Sequence, residues 1–252
     1  MTESDSRNHA LPPDASFLHS SLGLQYKIIG FYDIPSYDTV PDVIEKRGCL
    51  FSCFQEWQRG RVTHISRLRP GCPGCACWVC GNAAMQHDDF LDFLVNTEGL
   101  KTDREQMQRF LDAHLPYVME HRHILIGPLM DTHFNFCRTV TIFCNPDQLS
   151  AFIVGINRLH QTGTVYPLLP GVGPGCYQLS GVFPSFDDDY AVISSTDIAM
   201  RIHLPENVLS LTVTTPLFSK LCALDAESFL GKSFWTRLVK LRGAQKTTPS
   251  ES

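Results

Sequence analysis

Cys72-Pro73-Gly74-Cys75-Ala76-Cys77-Trp78-Val79-Cys80 places four thiols within nine residues. A thiolate is a soft ligand that suits zinc, cuprous copper and iron–sulfur clusters. Cys-Pro-Gly-Cys is a good chelating turn: Pro fixes one φ angle, Gly permits a positive one, and two sulfurs converge. A single tight loop rarely wraps one ion tetrahedrally, so further ligands are expected from elsewhere. Cys49 and Cys53 are four residues apart and share a face if helical, and Cys176 follows a Pro-Gly turn of its own. The metal ligand pool read from the sequence is therefore Cys72, Cys75, Cys77, Cys80 and Cys176, with Cys49 and Cys53 in reserve. The expected group is an iron–sulfur cluster, with zinc as the alternative. A redox dithiol and inert packing compete with it, and burial is favoured for Cys49 and Cys53 because free cysteine packs like a small hydrophobe. Cys137, Cys144 and Cys222 are expected in the core.

Other patterns carry less chemistry. His121-Arg122-His123 puts two imidazoles on one face of a strand, but a capping or solvent-facing role is favoured. Asp187-Asp188-Asp189 reads as a solvated turn, not a cation site. Gly171-Val172-Gly173-Pro174-Gly175 lacks a Walker lysine and reads as a turn. Neither Gly-x-Ser-x-Gly nor His-Glu-x-x-His occurs, which leaves hydrolase readings without support.

The bulk composition narrows the classes. The chain has 252 residues, with 21 Lys plus Arg against 26 Asp plus Glu. That balance lacks the basic footprint of a duplex nucleic-acid binder. No stretch approaches the roughly 18 consecutive apolar residues of a membrane span. Residues 1–16 are polar and read as a disordered lead-in without a secretory signal; residues 244–252 read as a tail. Ten cysteines in a chain without a signal point to a reducing cytoplasm, where clustered thiols bind metal or react.

Elements must position these thiols. Helical spacing is expected over residues 15–24, 49–58 with Gly60 as a stop, 87–94, 103–114, 146–160, 205–211 and 226–241. Strands are expected over 26–34, 62–68, 123–129, 139–144 and 190–195, and a loop with a helix at its end over 70–81. The result is one α/β domain over 17–243, a mixed sheet with helices on its faces. An internal repeat is weighed against chance. It aligns Trp57-Gln58-Arg59-Gly60 with His160-Gln161-Thr162-Gly163, and Pro70-Gly71-Cys72 with Pro174-Gly175-Cys176. The halves, about 22–83 and 123–183, would pack about a pseudo-two-fold axis, with Cys72 or Cys75 facing Cys176.

With these residues in hand, the chain resembles an uncharacterised prokaryotic family, domain of unknown function 169 (ArCR), from about Leu22 to Leu241. The resembling places are Cys49 or Cys53, Gly60, Gly71-Cys72-Pro73-Gly74, Asn145-Pro146, Cys176, Arg201 and Leu204-Pro205. Many members carry a further cysteine where this chain has Ser195-Thr196-Asp197. The resemblance implies an architecture and candidate cysteines but no reaction.

The function expected is a cytoplasmic iron–sulfur or metal-thiolate protein with a redox or cofactor-handling role. Trp78 and Tyr177 would shield the site, and Arg201 would hold an anionic group of a ligand. Its partner would be a redox protein or a small molecule; the sequence leaves the oligomeric state open. Two alternatives are a small-ligand module whose Pro-Gly-Cys turns line a pocket, and a zinc-stabilised scaffold. A thiol–disulfide enzyme ranks below both, because no Cys-x-x-Cys clearly opens a helix within a thioredoxin-like pattern.

Overall fold

Ile29-Gly-Phe-Tyr-Asp-Ile34 buries every residue, as a strand covered on both faces must. It forms β1 (Ile29–Ile34) at the centre of a sheet of eight strands in the computed structural model. The structure describes residues 13–45, 47–80, 88–113, 117–159, 168–170, 175–180, 183 and 185–247. The other strands are β2 (Val43–Glu45), β3 (Val62–Ile65), β4 (His123–Pro128), β5 (Cys137–Cys144), β6 (Leu168–Pro170), β7 (Ala191–Ser194) and β8 (Leu209–Thr214). Their order is β2-β3-β4-β1-β5-β8-β7-β6.

Two pairs, β2/β3 and β6/β7, are parallel, and all the others are antiparallel. The sheet is thus mixed, as read from the sequence. The first four strands lie in the order 2-3-4-1 and the last four in the order 6-7-8-5, with matching directions, and β1 meets β5 at the join.

Side-chain alternation sends Ile29 and Phe31 to one face, and Tyr32 and Ile34 to the other. The first face is covered by α2 (Phe54–Arg59), α3 (Pro73–Trp78), α4 (Asp88–Asp92), α5 (Arg104–Ala113), α7 (Gly175–Ser180) and α8 (Ile198–Arg201). The second carries α1 (Ser16–Leu22), α6 (Pro146–Leu159) and α9 (Thr215–Cys222). Trp235 of α10 (Ser233–Thr247) packs on the same core and donates from Nε1 to Ser21 O at 3.1 Å.

Most elements fall where the hydrophobic periodicity places them, and Gly60 ends α2 with φ 100°, a conformation that glycine adopts without a Cβ clash. Four expectations are corrected. The cysteine stretch is not a loop but the first turns of α3, because Cys72 caps it and Pro73 occupies the first turn. Residues 205–211 are not helical. Arg201 donates to the carbonyls of Pro205, Glu206 and Val208, which fixes a turn, and Leu209-Ser-Leu-Thr-Val-Thr214 alternates as β8. The single helix over 226–241 divides into a 3-10 turn at Phe229–Gly231 and α10, where Gly231 lies against Ala226 O. Residues 244–247, assigned to the tail, continue α10.

The strand order sets different segments side by side from those that the sequence alignment paired. α2 lies between β2 and β3, and its counterpart between β6 and β7 is α7; α6 lies between β5 and β6. By strand order Cys176, on α7, falls in the same connection as Cys49 and Cys53 ahead of α2, whereas the sequence alignment set it against Cys72. Cys72 lies in the connection after β3, and Asp197 in the connection after β7. His160 to Val165, Gly171 to Pro174, Gly81 and Gly181 lie outside the described residues.

Candidate functional site

The site is built where α3 packs on α7. Cys72 is the N-cap of α3, with φ −139° and ψ 166°, and its Sγ accepts from the Cys75 backbone N–H at 3.4 Å. Cys-x-x-Cys therefore does open a helix here. Hydrogen bonding from the Cys75 side chain is the largest influence on the Cys72 thiol and outweighs burial, bringing it down to about 7. Cys75 is buried, and its side chain is within hydrogen-bonding reach of both Cys72 and Cys176. Those bonds, with burial behind them, hold the Cys75 thiol well above its usual range. The trio thus pairs one partly exposed thiolate with a buried thiol, and Cys176 completes it from α7.

Cys49 caps the 3-10 turn Leu50–Cys53 that leads into α2. It is close enough to Cys176 and Cys72 for their charges to act on it, but burial dominates and pushes its thiol up to about 11. Cys80 is buried, and desolvation, then the charge of Cys176, pushes its thiol up to about 12. Cys53 and Cys77 are buried in the same core. Cys144 and Cys222 are each pushed up to about 12 by burial, and Cys137 is raised for the same reason. None of the ten cysteines forms a disulfide. Of the sequence-derived ligand pool, Cys72, Cys75 and Cys176 meet, Cys49 and Cys80 are close enough to Cys72 and Cys176 for their charges to act on them, and Cys53 and Cys77 are buried in the same core. Among the described residues, no group of three or more His, Cys, Asp or Glu side chains has the arrangement that holds a metal ion.

The two aromatic residues beside the thiols, Trp78 and Tyr177, are both buried. The Trp78 and Tyr177 rings lie 4.7 Å apart at 40°, and Trp78 also meets Phe110 edge-on at 6.1 Å. Arg201 spends its guanidinium on the carbonyls of the Pro205–Val208 turn.

Asp197, Gln178 and Ser195, none of them in the ligand pool, hold α7, and Glu98 stands nearby. Asp197 caps α8 by accepting from Ala199 N at 2.9 Å, and its other oxygen accepts from Gly175 N at 3.0 Å. Gln178 accepts from Ser195 N at 2.8 Å and donates to Thr196 Oγ1 at 3.3 Å. Ser195 is fully buried with φ 65°, a left-handed conformation that is strained for serine. Glu98 lies near both Asp197 and Cys72; burial, then Asp197, raises its carboxyl. Asx capping is a readable signal for Asp197. No local pattern announces Gln178 or Glu98.

Two cavities flank the trio. One, of about 730 Å³, is lined by Cys72, Glu45, Arg47, His64, Leu68 and Arg69, among others. The other, of about 560 Å³, includes Glu98 and Asp197 in its wall. His121 and His123 do not pair with each other. His123 Nδ1 lies 3.0 Å from His64 Nε2, and Tyr37 stacks on His64 at 4.2 Å.

The model of one protein family, the uncharacterised ArCR family (domain of unknown function 169), matches residues 18–223. The chain belongs to this family. No curated protein and no solved structure matches it. The ArCR match spans all eight strands, so the thiol trio is placed by the elements that the family model covers. Among the described residues, no helix is long and apolar enough to cross a membrane.

Proposed function

We propose that this ArCR protein is a thiolate redox protein in which Cys72 reacts, Cys75 resolves and Cys176 supports them. The observation that carries the reading is the Cys72–Cys75 pair: a partly exposed helix-capping sulfur, held by the backbone N–H of a buried second cysteine three residues on. A thiol near 7 is substantially ionised at neutral pH, and the thiolate is the attacking species. Its partner would be a small disulfide or a redox protein, and the compartment the reducing cytoplasm. We also read the two halves as related copies about an axis between β1 and β5, which their matching strand order supports.

A second reading keeps the same thiols as ligands of an iron–sulfur cluster, or of zinc. It is favoured by the way Cys49, Cys72 and Cys176 approach one another from three separate segments. The donor set is soft and fits such groups. When bound, a cluster would supply one-electron transfer; Cys72, Cys75, Cys176 and Cys49 would hold it, while Trp78 and Tyr177 exclude water.

One preparation separates the two. Protein purified without oxygen is analysed for metals and acid-labile sulfide, and a parallel sample is oxidised and mapped for disulfides. A Cys72–Cys75 disulfide that forms reversibly in metal-free protein supports the first reading. Stoichiometric iron with sulfide, or stoichiometric zinc, replaces it with the second.

A further inference from the structure

We propose that the cavity beside Cys72 receives a small disulfide or thiol that carries a carboxylate. The inference rests on the reading of Cys72 as the reacting thiol, and it names the substrate class of that site. The cavity, at about 730 Å³, has the size of a small-molecule pocket. Of the trio, Cys72 is the member that lines it, so a sulfur substrate meets Cys72 from this side.

The walls select by charge. Arg47 and Arg69 stand against one carboxylate, Glu45, which pairs with Arg69. Arg47 is exposed. The balance favours an anion. A second observation points to an occupant. His64, only 4% exposed, lines the cavity, yet its buried Nδ1 has no hydrogen-bond partner. Glu45 Oε1 is 3.9 Å away, beyond hydrogen-bonding range. The other ring nitrogen is engaged with His123. A buried polar atom left without a partner is costly, and an entering carboxylate would satisfy it in the Nδ1–H tautomer.

The reaction balances within the site. The Cys72 thiolate attacks one sulfur of the substrate disulfide; that S–S bond breaks, one substrate thiolate leaves, and a mixed disulfide forms on Cys72. Cys75 then loses its proton to solvent and attacks Cys72 Sγ, which releases the second substrate thiolate. The substrate gains two electrons and the Cys72–Cys75 pair loses two.

The test uses the reduced full chain at neutral pH and low salt, with two probe disulfides. Dithiobis(nitrobenzoate) is a dianion and dithiodipyridine is neutral; the rate at Cys72 is followed by peptide mass spectrometry. In the Arg47→Gln/Arg69→Gln variant, the ratio of anionic to neutral rates should fall about fivefold. Added salt on the native chain should lower the same ratio, which covers the case of a variant that does not fold. A ratio indifferent to both changes overturns the proposal while leaving Cys72 a redox thiol. Failure of the neutral probe to yield a Cys72–Cys75 disulfide overturns the redox reading, and the inference with it.

Discussion

Cys72 and Asp197 do the same job in corresponding places. Each follows the third strand of its half and caps the next helix: Cys72 Sγ accepts from Cys75 N at 3.4 Å, and Asp197 Oδ1 accepts from Ala199 N at 2.9 Å. Asp197 also binds Gly175 N, so the second half spends its capping group on α7, the helix that presents Cys176. Asp197→Ala removes both acceptors and should cost about 1–2 kcal/mol, read as a lower urea midpoint. An unchanged midpoint would show that neither bond matters to the fold.

Cys72 reactivity should follow its own titration. Alkylation at Cys72 is expected to rise with pH through about 7 and level off above it, because the thiolate is stabilised relative to an ordinary cysteine. Cys49, pushed up to about 11, should still be climbing at the alkaline end. Cys75→Ala removes the strongest influence on Cys72 and should move its midpoint back toward 9.0. A midpoint that stays near 7 in that variant would exclude Cys75 as the cause.

Asp33 is a fully buried carboxylate at the end of β1. It accepts from the Tyr117 hydroxyl at 2.8 Å and from the backbone of Glu120 and His121 at 2.6 and 2.9 Å. Asp33→Ala strands three donors, of which the Tyr117 hydroxyl is buried and the two backbone N–H groups part-buried, and should cost about 3 kcal/mol, whereas Tyr117→Phe should cost about 1 kcal/mol. Equal losses from the two variants in denaturant melts would contradict this ranking.

Acid should weaken the fold through His64. Burial, then His123, holds its imidazole below the usual 6.5. Below that pH the unfolded chain takes up a proton that the folded chain refuses, so stability is complete above about 6.5 and falls as pH drops. His133, lowered by burial, adds to the same limb. His64→Gln should flatten the acid limb of a melting-temperature profile; a profile that keeps its full slope would rule out His64.

Trp78 is 1% exposed and closes the site against Tyr177. Trp78→Ala should destabilise by about 3–5 kcal/mol and admit solvent, seen as faster alkylation at Cys75. Stability loss without any change at Cys75 would make Trp78 a core residue with no part in sheltering the thiols.

The parts of this architecture that the sequence discloses are those with local causes. β1, β4 and β5 are apolar and β-branched, and Gly60 carries its own stop signal. β8 was hidden because Pro205 resembles a helix start, and the force against it, Arg201 reaching three carbonyls, is tertiary. The cysteine-rich stretch is legible as a cluster of thiols, but not as a helix that begins at Pro73. The same Pro that makes a chelating turn also opens α3 once Cys72 caps it. Which distant thiol joins the pair depends on α7 being held by Gln178 and Asp197, contacts that cross 17 and 22 residues and leave no spacing to read.

β1 is the middle of the sheet, yet its partners begin at His123 and Cys137. A chain emerging from a ribosome delivers β1 and the Cys72-to-Cys80 stretch long before either neighbour of β1 exists, and pairing so distant in sequence is slow to close. The thiols are therefore synthesised well ahead of their shelter. An oxidising encounter in that interval would lock wrong pairs among the six cysteines already made, which makes the nascent chain a form that depends on a reducing surrounding.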